Sequence, residues 1–119
     1  MERAVIVSTA RTPIGKAYRG AFNNTDAASL GGHAIKHAIQ RSGVSIDAID
    51  DTLMGCSRPQ GSQGKNIARQ CAMAAGLPVT TPAMTVDRQC SSGMMAIGMA
   101  AKSIMTGEIE IAVAGGLES

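Results

Sequence analysis

The chain has 119 residues, 45% of them hydrophobic, and a formal charge of +2. That length holds one small domain rather than two, and that hydrophobic content excludes a disordered tail. The eleven basic residues are scattered, and only one Tyr, one Phe and no Trp accompany them, which argues against a nucleic-acid partner.

Ala4 to Ser8 is a short, apolar, β-rich run, expected to form a buried strand. Arg11-Thr12-Pro13-Ile14-Gly15 ends it, and a polar Gly/Asn loop runs to Asn24. Thr25 is placed to cap a helix from Asp26 to about Ser42, with Leu30, Ala34, Ala38, Ile35 and Ile39 on its apolar face and Gly43 after its end. Ser45 to Ile49 reads as one helical turn and Thr52 to Cys56 as a second strand. After a turn-rich stretch from Ser57 to Gly64, Lys65 to Ala75 reads as a second helix, closed by Gly76 and Pro78. Thr81 to Val86 is a third strand, where Pro82 marks an edge strand or a strand beginning. Cys90 to Met105 is a third helix stopped by Gly107, and Ile109 to Ala114 a fourth strand.

This β-α-β-α-β-α-β alternation predicts an α/β fold with a mostly parallel sheet flanked by helices. No helix follows to cover the last strand, so the chain reads as part of something larger. Eight Met and many Ala have to fill the core. Such a core buries little area per residue, and the stability of the domain alone is expected to be low. No apolar stretch reaches membrane-spanning length, and no signal-peptide core precedes the first run, so no membrane partner is expected. Three cysteines without CxxC spacing fit a reduced, cytoplasmic setting and no disulfide framework.

Cys90 is the candidate nucleophile. It sits in Val86-Asp87-Arg88-Gln89-Cys90-Ser91-Ser92-Gly93, between a strand and a helix. At a helix N-terminus, unpaired N–H groups and the positive end of the dipole stabilise a thiolate. Arg88 adds to that stabilisation and Asp87 opposes it. The following helix carries Met94, Met95, Ile97, Met99, Ala100, Ala101, Ile104 and Met105, with Lys102 its only charge. Apolar all round, it is expected to be a buried, central mount for the thiol. The competing reading of Cys90 is a small buried hydrophobe.

Other candidates are weaker. His33 and His37 share a helix face, yet no glutamate of an HExxH pattern lies between them and no third ligand suggests itself, so no metal site is expected. Gly61-Ser62-Gln63-Gly64-Lys65-Asn66 superficially resembles a phosphate loop, but its spacing is wrong and no Ser or Thr follows the lysine. No GxGxxG follows the first strand, so a dinucleotide fingerprint is absent. Cys71, beside Ile67, Ala68 and Ala72, is expected in the core. Cys56 is read as structural, although it ends a strand on the rim where Cys90 lies.

At Arg88-Gln89-Cys90-Ser91-Ser92-Gly93 the sequence resembles the thiolase family. The resemblance extends over Ala10-Arg11-Thr12-Pro13-Ile14-Gly15, Gly20-Ala21-Phe22, Asn66-Ile67-Ala68-Arg69-Gln70 and Val113-Ala114-Gly115-Gly116-Leu117-Glu118-Ser119, in order and spacing. It implies the N-terminal part of a five-layered α-β-α-β-α fold, with residues 1–119 ending before the CoA-binding loop domain. It also implies an acyltransferase in which Cys90 attacks the keto carbon of a 3-ketoacyl-CoA. Acetyl-CoA leaves and CoA collects the shortened acyl group, so that a covalent intermediate divides the reaction. The Cys90 N–H would help form an oxyanion hole.

CoA and acyl-CoA are then substrates, with no permanently bound cofactor implied. The residues that bind CoA are unassigned. The family's strand corresponding to Thr81 to Val86 pairs across a dimer, which implies a homodimer or homotetramer. The Arg-Gln-Cys-Ser-Ser-Gly form is closer to degradative thiolases of fatty-acid metabolism than to acetoacetyl-CoA-forming ones. Two departures matter. The family's Gly-His-Pro histidine is missing, since His33 and His37 do not match it. Its second cysteine is missing too, since Cys56 and Cys71 do not match that one. The isolated chain is therefore expected to be inactive, and a truncated, non-catalytic association module is the alternative of a different class. A ketoacyl-synthase relative fits the motifs less well.

Overall fold

The computed structural model describes residues 1–119. Its regular elements are α1 (Ala27–Ser42), a 3₁₀ turn (Ile46–Ala48), β1 (Asp51–Gly55), a second 3₁₀ turn (Gly61–Gln63), α2 (Ile67–Ala74), β2 (Ala83–Val86), α3 (Ser92–Met105) and β3 (Ala112–Gly116). The three strands form one parallel sheet in the order β2-β1-β3. The chain thus moves one way across the sheet from β1 to β2 and back the other way, over β1, to β3. Right-handed crossovers in opposite directions put their helices on opposite faces. Accordingly α2, with α1 against it, covers one face, and α3 covers the other.

The central strand shows this sidedness directly. Met54 packs among Ile35, Ile39, Ile67, Ala68, Cys71 and Ala72, whereas Leu53 packs against Ala96 and Ala100. Period-two alternation sends the neighbours to opposite faces, and because both faces are covered, the strand is apolar on both. On the first face the helices touch through small residues. A Cβ added at Gly31 would fall on the Cys71 sulfur, and one at Gly32 would lie 2.7 Å from the Ala74 Cβ. Cys71 is fully buried there, as expected.

Three of the four predicted strands form. The exception is Ala4 to Ser8, which makes no strand, and Val5, Ile6 and Val7 are 72%, 73% and 70% exposed. Strand propensity is local, but a strand needs a paired neighbour, and no strand of this chain lies alongside that run. Helix boundaries shift by a few residues. Asp26, not Thr25, caps α1, its Oδ1 accepting from the Ser29 N–H at 2.9 Å. Lys65 and Asn66 are left-handed (φ 54° and 56°), which delays α2 to Ile67. The Asn66 amide donates to the Ala83 carbonyl at 3.0 Å and accepts from the Thr85 hydroxyl at 2.8 Å, pinning the start of α2 to β2. As Pro82 suggested, β2 is an edge strand.

The fully buried α3 is not borne out. Only Ser92, Ala96 and Ala100 are buried, and Met94 is 78% exposed. The sheet lies under one face of the helix, and no element of this chain covers the opposite face. No helix is long and apolar enough to cross a membrane.

Candidate active site

β2 ends at Val86, and after five intervening residues α3 begins at Ser92, with Ser91 as its cap residue. Cys90 therefore sits just before the first helical turn rather than inside it. It lies at the carboxyl end of a parallel strand, the side of an open α/β sheet where ligands bind. Its side chain is exposed, whereas Cys56 and Cys71 are buried.

The turn carrying Cys90 is closely braced. The Asp87 carboxylate accepts from the Gln89 N–H at 3.0 Å. Gln89 itself is left-handed, with φ 51°, a conformation that a non-glycine residue holds only when its surroundings enforce it. The Ser92 hydroxyl, on a residue only 4% exposed, accepts from the Arg88 N–H at 2.7 Å and donates to the Gln89 carbonyl at 2.6 Å. The Ser91 hydroxyl donates to the Arg88 carbonyl at 2.8 Å. The Arg88 side chain lies along α3, its Nη1 3.1 Å from the Met95 sulfur. The N–H groups of Cys90, Gly93 and Met94 donate to no protein acceptor. Orphan donors beside an exposed thiol can bind the oxygen of a carbonyl under attack.

The turn rests directly on the sheet. A Cβ at Gly55, the last residue of β1, would overlap the backbone of Ser92 and Gly93. One at Gly116, the last residue of β3, would stand 3.2 Å from the Gly93 Cα. Glycine at these strand ends lets backbone meet backbone, so the start of α3 is set on the rim without intervening side chains.

Beside that rim lies a carboxylate that sequence reading did not single out. Glu118 accepts from the Ser57 N–H at 2.9 Å, the Arg58 N–H at 3.2 Å, the Gln63 amide at 3.1 Å and the Ser57 hydroxyl. The Cys56 thiol points to it at 3.6 Å. Burial works to raise the Glu118 pKa, but the bonds from Ser57, Gln63 and Cys56 together hold it below its ordinary value. For Cys56 the order is reversed: burial, helped by the charge of Glu118, pushes the thiol up. Burial pushes Cys71 up to about 11. Both are therefore protonated, unreactive thiols at neutral pH.

The remaining candidates stay apart from Cys90. His33 is exposed and His37 half-buried on α1, their ring centroids 4.4 Å apart, and no group of three or more metal-ligating side chains gathers. Gly61 to Gln63 forms a 3₁₀ turn, and Gln63 serves the Glu118 network rather than a phosphate. A cleft of about 730 Å³ runs between Ala10–Tyr18, α1 and the end of β3, and Cys90 does not line it.

Residues 4–119 match the family model described as thiolase, N-terminal domain. The whole chain aligns at 47% identity with a 3-ketoacyl-CoA thiolase of Bacillus subtilis, at 45% with an acetyl-CoA acetyltransferase of Cupriavidus necator and at 44% with a probable acetyl-CoA acyltransferase of Staphylococcus aureus. It spans 30% of the length of each. Proteins named as acyltransferases thus surround a sequence whose one exposed thiol stands before a helix at the carboxyl rim of a parallel sheet, and the chain belongs to the thiolase family.

Proposed function

We propose that this chain is the nucleophile-bearing part of a thiolase that cleaves 3-ketoacyl-CoA. The observation that carries the reading is Cys90: an exposed thiol beside unengaged N–H groups, on a turn seated on backbone. The Cys90 thiolate attacks the keto carbon and forms a carbon–sulfur bond. The bond between that carbon and the adjacent methylene then breaks, its electron pair stays with the methylene carbon, and that methylene takes a proton to become the methyl group of the leaving acetyl-CoA. The thiol of free CoA next attacks the acyl-cysteine and releases the shortened acyl-CoA with Cys90 restored. The N–H of Cys90 is placed to steady the oxyanion in both halves. The histidine and second cysteine that move the protons in this family are not among the 119 residues, whose only histidines are His33 and His37. Residues 1–119 are thus read as a partial N-terminal domain, with the CoA-binding loop domain outside it.

The degradative direction is favoured by the Arg88–Gly93 motif and by the B. subtilis relative, while the C. necator relative keeps the acetoacetyl-CoA-forming reaction as the alternative. Three free thiols fit a reducing, cytoplasmic setting. The test is acyl transfer from radiolabelled acetyl-CoA, read by peptide mass spectrometry on the whole protein. Label is expected on Cys90 and is expected to disappear in Cys90→Ser. Equal labelling of that variant contradicts the assignment.

A second reading, association through the sheet edge, is supported by β2. The Pro82 carbonyl accepts from Thr52 of β1 and the Val86 carbonyl from Cys56 just past its end, so Ala83 and Thr85 turn their backbone groups outward. Asn66 takes the Ala83 carbonyl, and the remaining groups form a short edge on which a second copy can pair. Sedimentation of the whole protein is expected to give a dimer or tetramer. A monomer at micromolar concentration would remove this reading.

A further inference from the structure

We infer that Ser92 is a positioning residue for the nucleophile, acting through the backbone of Gln89. The inference rests on the acyl-transfer reading of Cys90. A hydroxyl has one proton to give, and the Ser92 hydroxyl spends it inward, on the Gln89 carbonyl, while accepting the Arg88 N–H. The Ser92 N–H also donates to the Gln89 carbonyl, at 3.1 Å. One buried residue therefore grips the Asp87–Arg88 peptide through its N–H and the Gln89–Cys90 peptide through its carbonyl, bracketing Gln89, the residue whose left-handed backbone turns the chain so that Cys90 faces solvent. Ser92 itself cannot drift, because its backbone is pressed against Gly55. The brace thus passes from β1, through Ser92, to the turn that aims the thiol.

Ser91 is not equivalent. Its hydroxyl holds only the Arg88 carbonyl and its side chain is exposed. Without the Ser92 hydroxyl, Gln89 can relax toward negative φ, which redirects the Cys90 side chain and the adjacent N–H while leaving α3 and the sheet in place. A misdirected nucleophile lowers the rate of the chemical step rather than the affinity for substrate, and small displacements of this kind cost on the order of tenfold to a hundredfold.

The experiment uses the whole protein. In Ser92→Ala, kcat is expected to fall about tenfold or more with KM within about twofold of wild type. The rate of Cys90 alkylation by iodoacetamide, a readout independent of acyl chemistry, is expected to fall as well. The discriminating variant is Gln89→Gly in the Ser92→Ala background. Glycine accepts positive φ without support, so this double variant is expected to recover a substantial part of both rates. A space-filling or helix-stabilising role for Ser92 would not be rescued from position 89. Wild-type kcat and alkylation rates in Ser92→Ala overturn the inference, as does a loss that Gln89→Gly leaves unchanged. Should Ser92→Ala not fold, Ser92→Cys, which keeps a weak donor and acceptor, is expected to give intermediate rates, and wild-type rates there overturn the inference too. If wild type itself carries no label on Cys90, the acyl-transfer reading fails, and the alkylation rates and their rescue still judge Ser92.

Discussion

At Gly55 the sheet and the nucleophile's helix meet backbone to backbone. Any side chain there has to push either the end of β1 or the first turn of α3. Gly55→Ala is expected to destabilise the protein by about 1–3 kcal/mol through overpacking, with a larger loss of acyl transfer than of stability, because the displaced turn carries Cys90. Urea midpoints and initial rates on the same preparation check this; a variant that loses neither contradicts it. At this scale the site was half legible. A polar stretch between a β-rich run and a helical run was enough to place Cys90 at the start of a helix. Nothing in the local sequence could show that Gly55 and Gly116, far apart in the chain, both come to rest under Ser92 and Gly93, or that Gln89 is left-handed. Those facts come from three elements converging on one rim.

Glu118 links two elements through its side chain, tying the loop after β1 to the end of β3. Its folded-state pKa is depressed, so the stability it adds is present above the ordinary carboxylate range and is lost as pH falls through its lowered value. Asp50, which accepts from the Glu110 and Ile111 N–H groups at the entry to β3, is depressed by those bonds and acts in the same direction. Denaturant midpoints are expected to fall between pH 7 and pH 3, and to fall less in Glu118→Gln. An equal acid loss in that variant contradicts a role for Glu118 in it. The elements themselves were legible where the signal is local: Gly43, Gly76 and Gly107 end their helices with φ 73°, 87° and 78°. They were not legible where a distant partner decides. Asn66 delays α2 by reaching Ala83 and Thr85, and Ala4 to Ser8 has strand-forming residues without a strand to pair with.

The molecule as a whole shows two apolar surfaces, the Val5–Val7 segment and the outer side of α3 around Met94 and Ile97. Surfaces of this kind mark interaction sites on soluble domains. The 119 residues by themselves are expected to bind a hydrophobic dye such as ANS and to show no thiolysis in a 3-ketoacyl-CoA consumption assay. Turnover close to that of a complete thiolase would contradict the assignment of the proton-moving groups elsewhere. The distribution of the three cysteines has a further consequence. Cys56 and Cys71 are shut inside while Cys90 is open to solvent, so on the isolated 119 residues a maleimide reporter is expected to attach once, at Cys90, without any engineered site. It also means that, within these 119 residues, a sulfenic acid on Cys90 has no accessible resolving thiol. In the isolated 119 residues peroxide is therefore expected to give either a disulfide between two copies, which a reductant reverses, or irreversible overoxidation.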